Sequence, residues 1–106
     1  MNDQPSSYAS AEEWRAEARR RFGDDNMKWR FECPSCGHVA AVEDWKNVGA
    51  APGEVAFSCV GRHIPGSKNM CERPGPCNYA GGGLIGLNPV SVATEDGKVI
   101  RLFAFA

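Results

Sequence analysis

Between Ser10 and Gly23 the apolar residues Ala11, Trp14, Ala18 and Phe22 recur every three or four positions, separated mostly by charged residues. That spacing lays one apolar stripe along a helix. Ser10-Ala11-Glu12-Glu13 ahead of the stripe reads as a capping box, with Ser10 as N-cap and Glu13 reaching back to the backbone. Arg19, Arg20 and Arg21 load the last turn, where cations suit the helix dipole, and Gly23 stops it. The pattern predicts a helix over 11–22. After the Asp24-Asp25-Asn26 turn the period drops to two: Lys28-Trp29-Arg30-Phe31-Glu32-Cys33 alternates polar and apolar, the mark of a half-buried strand. Val39 to Val42 reads as a short return strand and Glu43 to Asn47 as a short helix carrying Trp45. Past the Pro52-Gly53 turn, Glu54 to Cys59 predicts a second strand that also ends at a cysteine. Residues 60–83 are punctuated by Gly61, Pro65, Gly66, Pro74, Gly75, Pro76 and Gly81-Gly82-Gly83, the composition of a long irregular loop. Val90 to Thr94, the Glu95-Asp96-Gly97 turn and Lys98 to Phe105 form a β-hairpin pattern.

These elements imply an α+β fold. The N-terminal helix packs through Trp14, Ala18 and Phe22 on a small antiparallel sheet drawn from 28–33, 54–59, 90–94 and 98–105, and a zinc-ribbon-like module of four cysteines is attached. The expected organisation is one domain over 1–106, with a flexible arm at 1–9, the helix segment at 10–23, the cysteine module at 28–84 and the hairpin at 88–106.

Composition narrows the class. A chain of 106 residues forms a small core that commonly needs a staple. Twelve Lys+Arg against thirteen Asp+Glu leave a formal charge of −1, which argues against both a basic polyanion binder and a strongly acidic mimic. The apolar runs are too short to span a membrane, and the first residues carry neither a basic nor an apolar leader pattern. The expectation is a cytoplasmic protein with reduced thiols, in which clustered cysteines indicate metal more than disulfides.

All five cysteines lie between Cys33 and Cys77. Cys33-Pro34-Ser35-Cys36-Gly37 brings two sulfurs to one ion while backbone N–H groups fold back on them, and Gly37 supplies the freedom the turn needs. Cys59, at the end of the second strand, makes a third ligand. Cys77, set among Gly75, Pro76 and Gly81, resembles a second knuckle and is the favoured fourth, with His63 and Cys71 as alternates. A redox role for Cys-x-x-Cys calls for a helix beginning at the second cysteine, where Gly37 stands. Catalysis is not expected: neither histidine begins a His-x-Glu pair, four thiolates close the zinc shell, and Gly81-Gly82-Gly83 lacks a following Gly-Lys-Ser/Thr.

The stretches Met27 to Ala40, Asp44-Trp45-Lys46, Val55 to Arg62 and Gly75 to Leu84 resemble a family of small cysteine-rich, zinc-binding phage and mobile-element proteins of proteobacteria that includes a type I-C anti-CRISPR protein. The resemblance covers residues 10–90. It maps the family's four cysteines onto Cys33, Cys36, Cys59 and Cys77, leaves Cys71 unmatched and stops short of the hairpin. It implies a stoichiometric inhibitor, not an enzyme, that keeps a type I surveillance complex (Cascade) from DNA in the host cytoplasm. The alternative expectation is a zinc-ribbon nucleic-acid-binding module for phage transcription or replication. Candidate partner contacts are Arg19, Arg20 and Arg21 at the helix end, and the acidic residues Asp24, Asp25, Glu43 and Asp44.

Overall fold

The computed structural model describes residues 6–83 and 86–106; the first five residues of the arm and the last residue of the cysteine module, Leu84, lie outside them. The chain folds as a small α+β protein whose strands form two sheets. In chain order the elements are β1 (Ser7–Tyr8), α1 (Ala11–Phe22), β2 (Arg30–Glu32), β3 (Val39–Ala41), α2 (Val42–Asn47), β4 (Val90–Ala93), β5 (Val99–Leu102) and β6 (Ala104–Phe105). Single 3-10 turns occupy Asn26–Lys28, Pro52–Glu54 and Val60–His63.

Helix α1 starts and stops as its sequence predicts. The Ser10 hydroxyl accepts the Glu13 N–H at 3.1 Å, and the Glu13 carboxylate accepts the N–H of Ala9, one residue earlier than a standard capping box requires. Gly23 caps the C-terminus and donates its N–H to the Arg19 carbonyl. The apolar stripe buries Ala18 and sets Trp14 against an aromatic cluster, stacked on Phe31 and Phe105 and edge-on to Trp29.

One sheet has the order β3-β2-β6, antiparallel throughout, with Phe31 opposite both Ala40 and Phe105. The other has the order β1-β4-β5: β4 and β5 form the antiparallel hairpin, and β1 lies parallel to β4. Two expectations therefore change. The arm over 1–9 contributes a strand, Ser7–Tyr8, because Tyr8 finds burial beside β4. The single expected sheet is split, because Phe103 turns between β5 and β6 and donates its N–H to the Ala56 carbonyl at 2.7 Å.

The strand expected at 54–59 does not form. Ala56 sits in the left-handed region at φ 58°, and the N–H groups of Phe57 and Ser58 fold back onto the Glu54 carbonyl. Alternation here served burial of Ala56, Ser58 and Cys59 around a turn instead of a pleat. The segment still reaches the core: the Trp45 indole N–H donates to the Ser58 carbonyl at 2.9 Å. Among the described residues no helix is long and apolar enough to cross a membrane.

Candidate metal centre

Two folded-back turns and one end of the long loop converge on a single point. In the first, the Cys33 N–H donates to the His38 carbonyl at 3.0 Å and the Gly37 N–H to the Cys33 carbonyl at 2.8 Å, closing a tight loop just beyond β2. Gly37 holds φ 76°, a conformation that a side chain would strain. The second begins at Cys59, whose N–H donates to the Tyr79 carbonyl and whose own carbonyl accepts from Arg62, starting the 3-10 turn over Val60–His63. Cys77 is brought in by the loop, which pairs with itself through a bridge between Lys68 and Cys77. Gly75 passes so close to Cys36 that a Cβ there would run into its Sγ.

The result is four buried sulfurs, of Cys33, Cys36, Cys59 and Cys77, all within 4.8 Å of one another. Cys33 and Cys77 are 4.0 Å apart at sulfur, and Cys36 and Cys59 are 3.8 Å apart. A tetrahedral zinc with Zn–S bonds of about 2.3 Å has sulfur–sulfur edges of about 3.8 Å. The cluster thus matches a four-cysteine metal site in donor type, number and spacing.

The backbone treats these sulfurs as acceptors. Ser35 and Cys36 direct N–H groups at Cys33, His38 directs one at Cys36, and Gly61 and Cys77 direct theirs at Cys59. Cys59 is lowered to about 5, chiefly because the Cys33 side chain donates to it and then through the N–H groups of Cys77 and Gly61, against its burial. Cys33 is pushed upward, first by that hydrogen bond to Cys59 and next by burial. Burial raises Cys36 to about 11. A dication at the centre would favour thiolate at all four, since metal ligation deprotonates a coordinating thiol.

The alternates are held elsewhere. Cys71 is exposed, at φ 68°, with its N–H donating to Ser35 Oγ at 2.7 Å. His63 lies beside Glu54, Nε2 to Oε1 3.6 Å, and not in the sulfur cluster. Ser35, which the sequence reading passed over, is buried with its hydroxyl 3.7 Å from the Cys77 sulfur. The signal for it was its place inside Cys-Pro-Ser-Cys, where a small polar residue faces back into its own turn.

Most of the charged candidates have local partners. Arg20 and Arg21 both bond the Glu17 carboxylate, and Lys28 pairs with Glu43 at 3.0 Å. Asp25 accepts the Met27 N–H and Asp44 the Ala41 N–H. Glu17 is another residue that the reading missed, although its spacing of three and four from Arg20 and Arg21 announces it. Arg19 and Asp24 are exposed near the C-terminal end of α1.

The family model for VVA0879-like proteins matches residues 10–106. The chain belongs to the VVA0879-like family. The match takes in the whole cysteine cluster and also the C-terminal strands β4, β5 and β6. Neither the curated proteins nor the solved structures give a match.

Proposed function

We propose that this VVA0879-like protein binds one structural Zn²⁺ through Cys33, Cys36, Cys59 and Cys77 and works by occupying another macromolecule, without turnover of its own. The observation that carries the reading is the closed set of four buried sulfurs within 4.8 Å, each drawn from a different turn position. Four protein thiolates fill a tetrahedral shell and leave no position for water or substrate, which is the pattern of a structural site. The segment from Val60 to Gly83 contains no strand or α-helix among the described residues. Ordering so irregular a stretch costs conformational entropy that a metal bond offsets.

The partner we propose, following the resemblance of residues 10–90, is a type I CRISPR surveillance complex, blocked from DNA in the host cytoplasm. Elemental analysis of protein purified under reducing conditions should find one zinc per chain. Cys71→Ser should keep that zinc and Cys77→Ser should lose it; metal-free wild-type protein would overturn the site. Co-purification from a host carrying a type I system should retain the complex, and a gel shift should show no DNA binding at moderate salt. Binding to DNA without retention of the complex would transfer the function to the nucleic-acid-binding module.

A further inference from the structure

Four of the five cysteines are buried, and the fifth, Cys71, is exposed. It is nevertheless tied to the cluster. Ser35, buried inside the first cysteine turn, accepts the Cys71 N–H at 2.7 Å. The same Ser35 Oγ lies 3.8 Å from the Cys71 sulfur and 3.7 Å from the Cys77 sulfur. One oxygen atom thus stands between two sulfurs, one facing solvent and the other inside the cluster. Cys71 and Cys77 also share the long loop. Of the residues between them Glu72, Arg73 and Pro74 are exposed and Gly75 and Pro76 half-buried, so closing the gap draws on surface chain and not on the core.

This pairing divides the two roles that thiol oxidation needs. An oxidant in solution meets the exposed thiol first, because susceptibility follows exposure and thiolate character, and redox-sensing cysteines stand beside a resolving cysteine. Cys77 is fully buried and takes the second role.

We propose that Cys71 is an oxidation site for hydrogen peroxide and small hydroperoxides, with Cys77 as the resolving thiol, so that oxidation removes one ligand and releases the metal. The inference rests on the four-cysteine metal reading above. In the first step the Cys71 thiolate attacks a peroxide oxygen; an S–O bond forms, the O–O bond breaks, and hydroxide or alkoxide leaves with the electron pair. In the second, the Cys77 sulfur attacks the Cys71 sulfenic acid; the S–S bond forms, the S–O bond breaks, and hydroxide leaves and takes up a proton as water. The sulfurs lose two electrons, the peroxide gains them, and Cys77 no longer offers a thiolate to zinc.

Treatment of the full-length, zinc-loaded protein with hydrogen peroxide tests this, with released zinc followed by a chelating dye and the thiols mapped by peptide mass spectrometry without reduction. The wild type should lose its zinc in step with formation of a bond between Cys71 and Cys77, and dithiothreitol with added zinc should restore the starting state. Cys71→Ser, a change at an exposed position, should keep its zinc under the same exposure. Equal zinc loss in Cys71→Ser, a bond joining two other cysteines in the wild type, or a wild type that keeps its zinc would each overturn the proposal alone. Protein that holds no zinc before peroxide would overturn the metal reading with it, and elemental analysis reports that outcome separately.

Discussion

At the scale of single residues, the cysteine cluster owes its closeness to residues that have no sulfur. Gly75 is the sharpest case, because any Cβ would collide with the Cys36 sulfur. Gly75→Ala should lower metal retention in a chelator competition while leaving all four cysteines in place; unchanged retention would show that the loop can swing aside. Ser35 bridges the cluster and the exposed Cys71, accepting the Cys71 N–H. Trp14 stacks on two rings and meets a third edge-on. Trp14→Ala should cost about 3 kcal/mol, the low end for truncating a buried aromatic because Trp14 is only partly buried. Urea denaturation measures this, and a wild-type midpoint would mean that the helix contributes little to the core.

At the scale of elements, local patterns set what could be read in advance. Helix α1 was legible to the residue because its cap, its stripe and its glycine stop are all short-range signals. Ser10→Ala should remove the hydroxyl that accepts the Glu13 N–H and cost about 1 kcal/mol, read as a lower urea midpoint with an unchanged slope. The strand pattern at 54–59 misled for an equally physical reason. Val55, Phe57 and Cys59 alternate with smaller or polar residues, but the carbonyls of Ala56, Phe57 and Ser58 accept from three scattered groups, the Phe103 N–H, the Asn88 amide and the Trp45 indole, instead of from one neighbouring strand. The parallel pairing of β1 with β4 joins residues more than eighty positions apart, and no local period encodes so distant a match. The clustering of the cysteines was legible because Cys-x-x-Cys and further thiols in one window are a ligand pattern in the sequence itself, whereas the separation of His63 and Cys71 from the cluster was a matter of loop path.

At the scale of the whole molecule, the four-sulfur cluster brings the end of β2, the turn at Cys59 and the long loop together within the same buried core as Phe31, Trp45 and Tyr79. Chelation should therefore loosen much of the chain cooperatively, seen as a large drop in melting temperature; a small change would confine the metal's role to the loop. The charges left over for contact with a partner are fewer than the sequence suggested, since Glu17 ties up Arg20 and Arg21, and Lys28 ties up Glu43. If the partner is the type I surveillance complex proposed above, Arg19→Glu and Asp24→Lys should weaken its retention in a pull-down without altering the melt, and undiminished retention would rule out this end of α1 as the contact. The central claim is a closed shell of four thiolates, and the zinc K-edge absorption spectrum of the purified protein tests it most directly. Four sulfur neighbours at about 2.3 Å and no lighter ligand are expected. A nitrogen or oxygen neighbour in the first coordination sphere would contradict it.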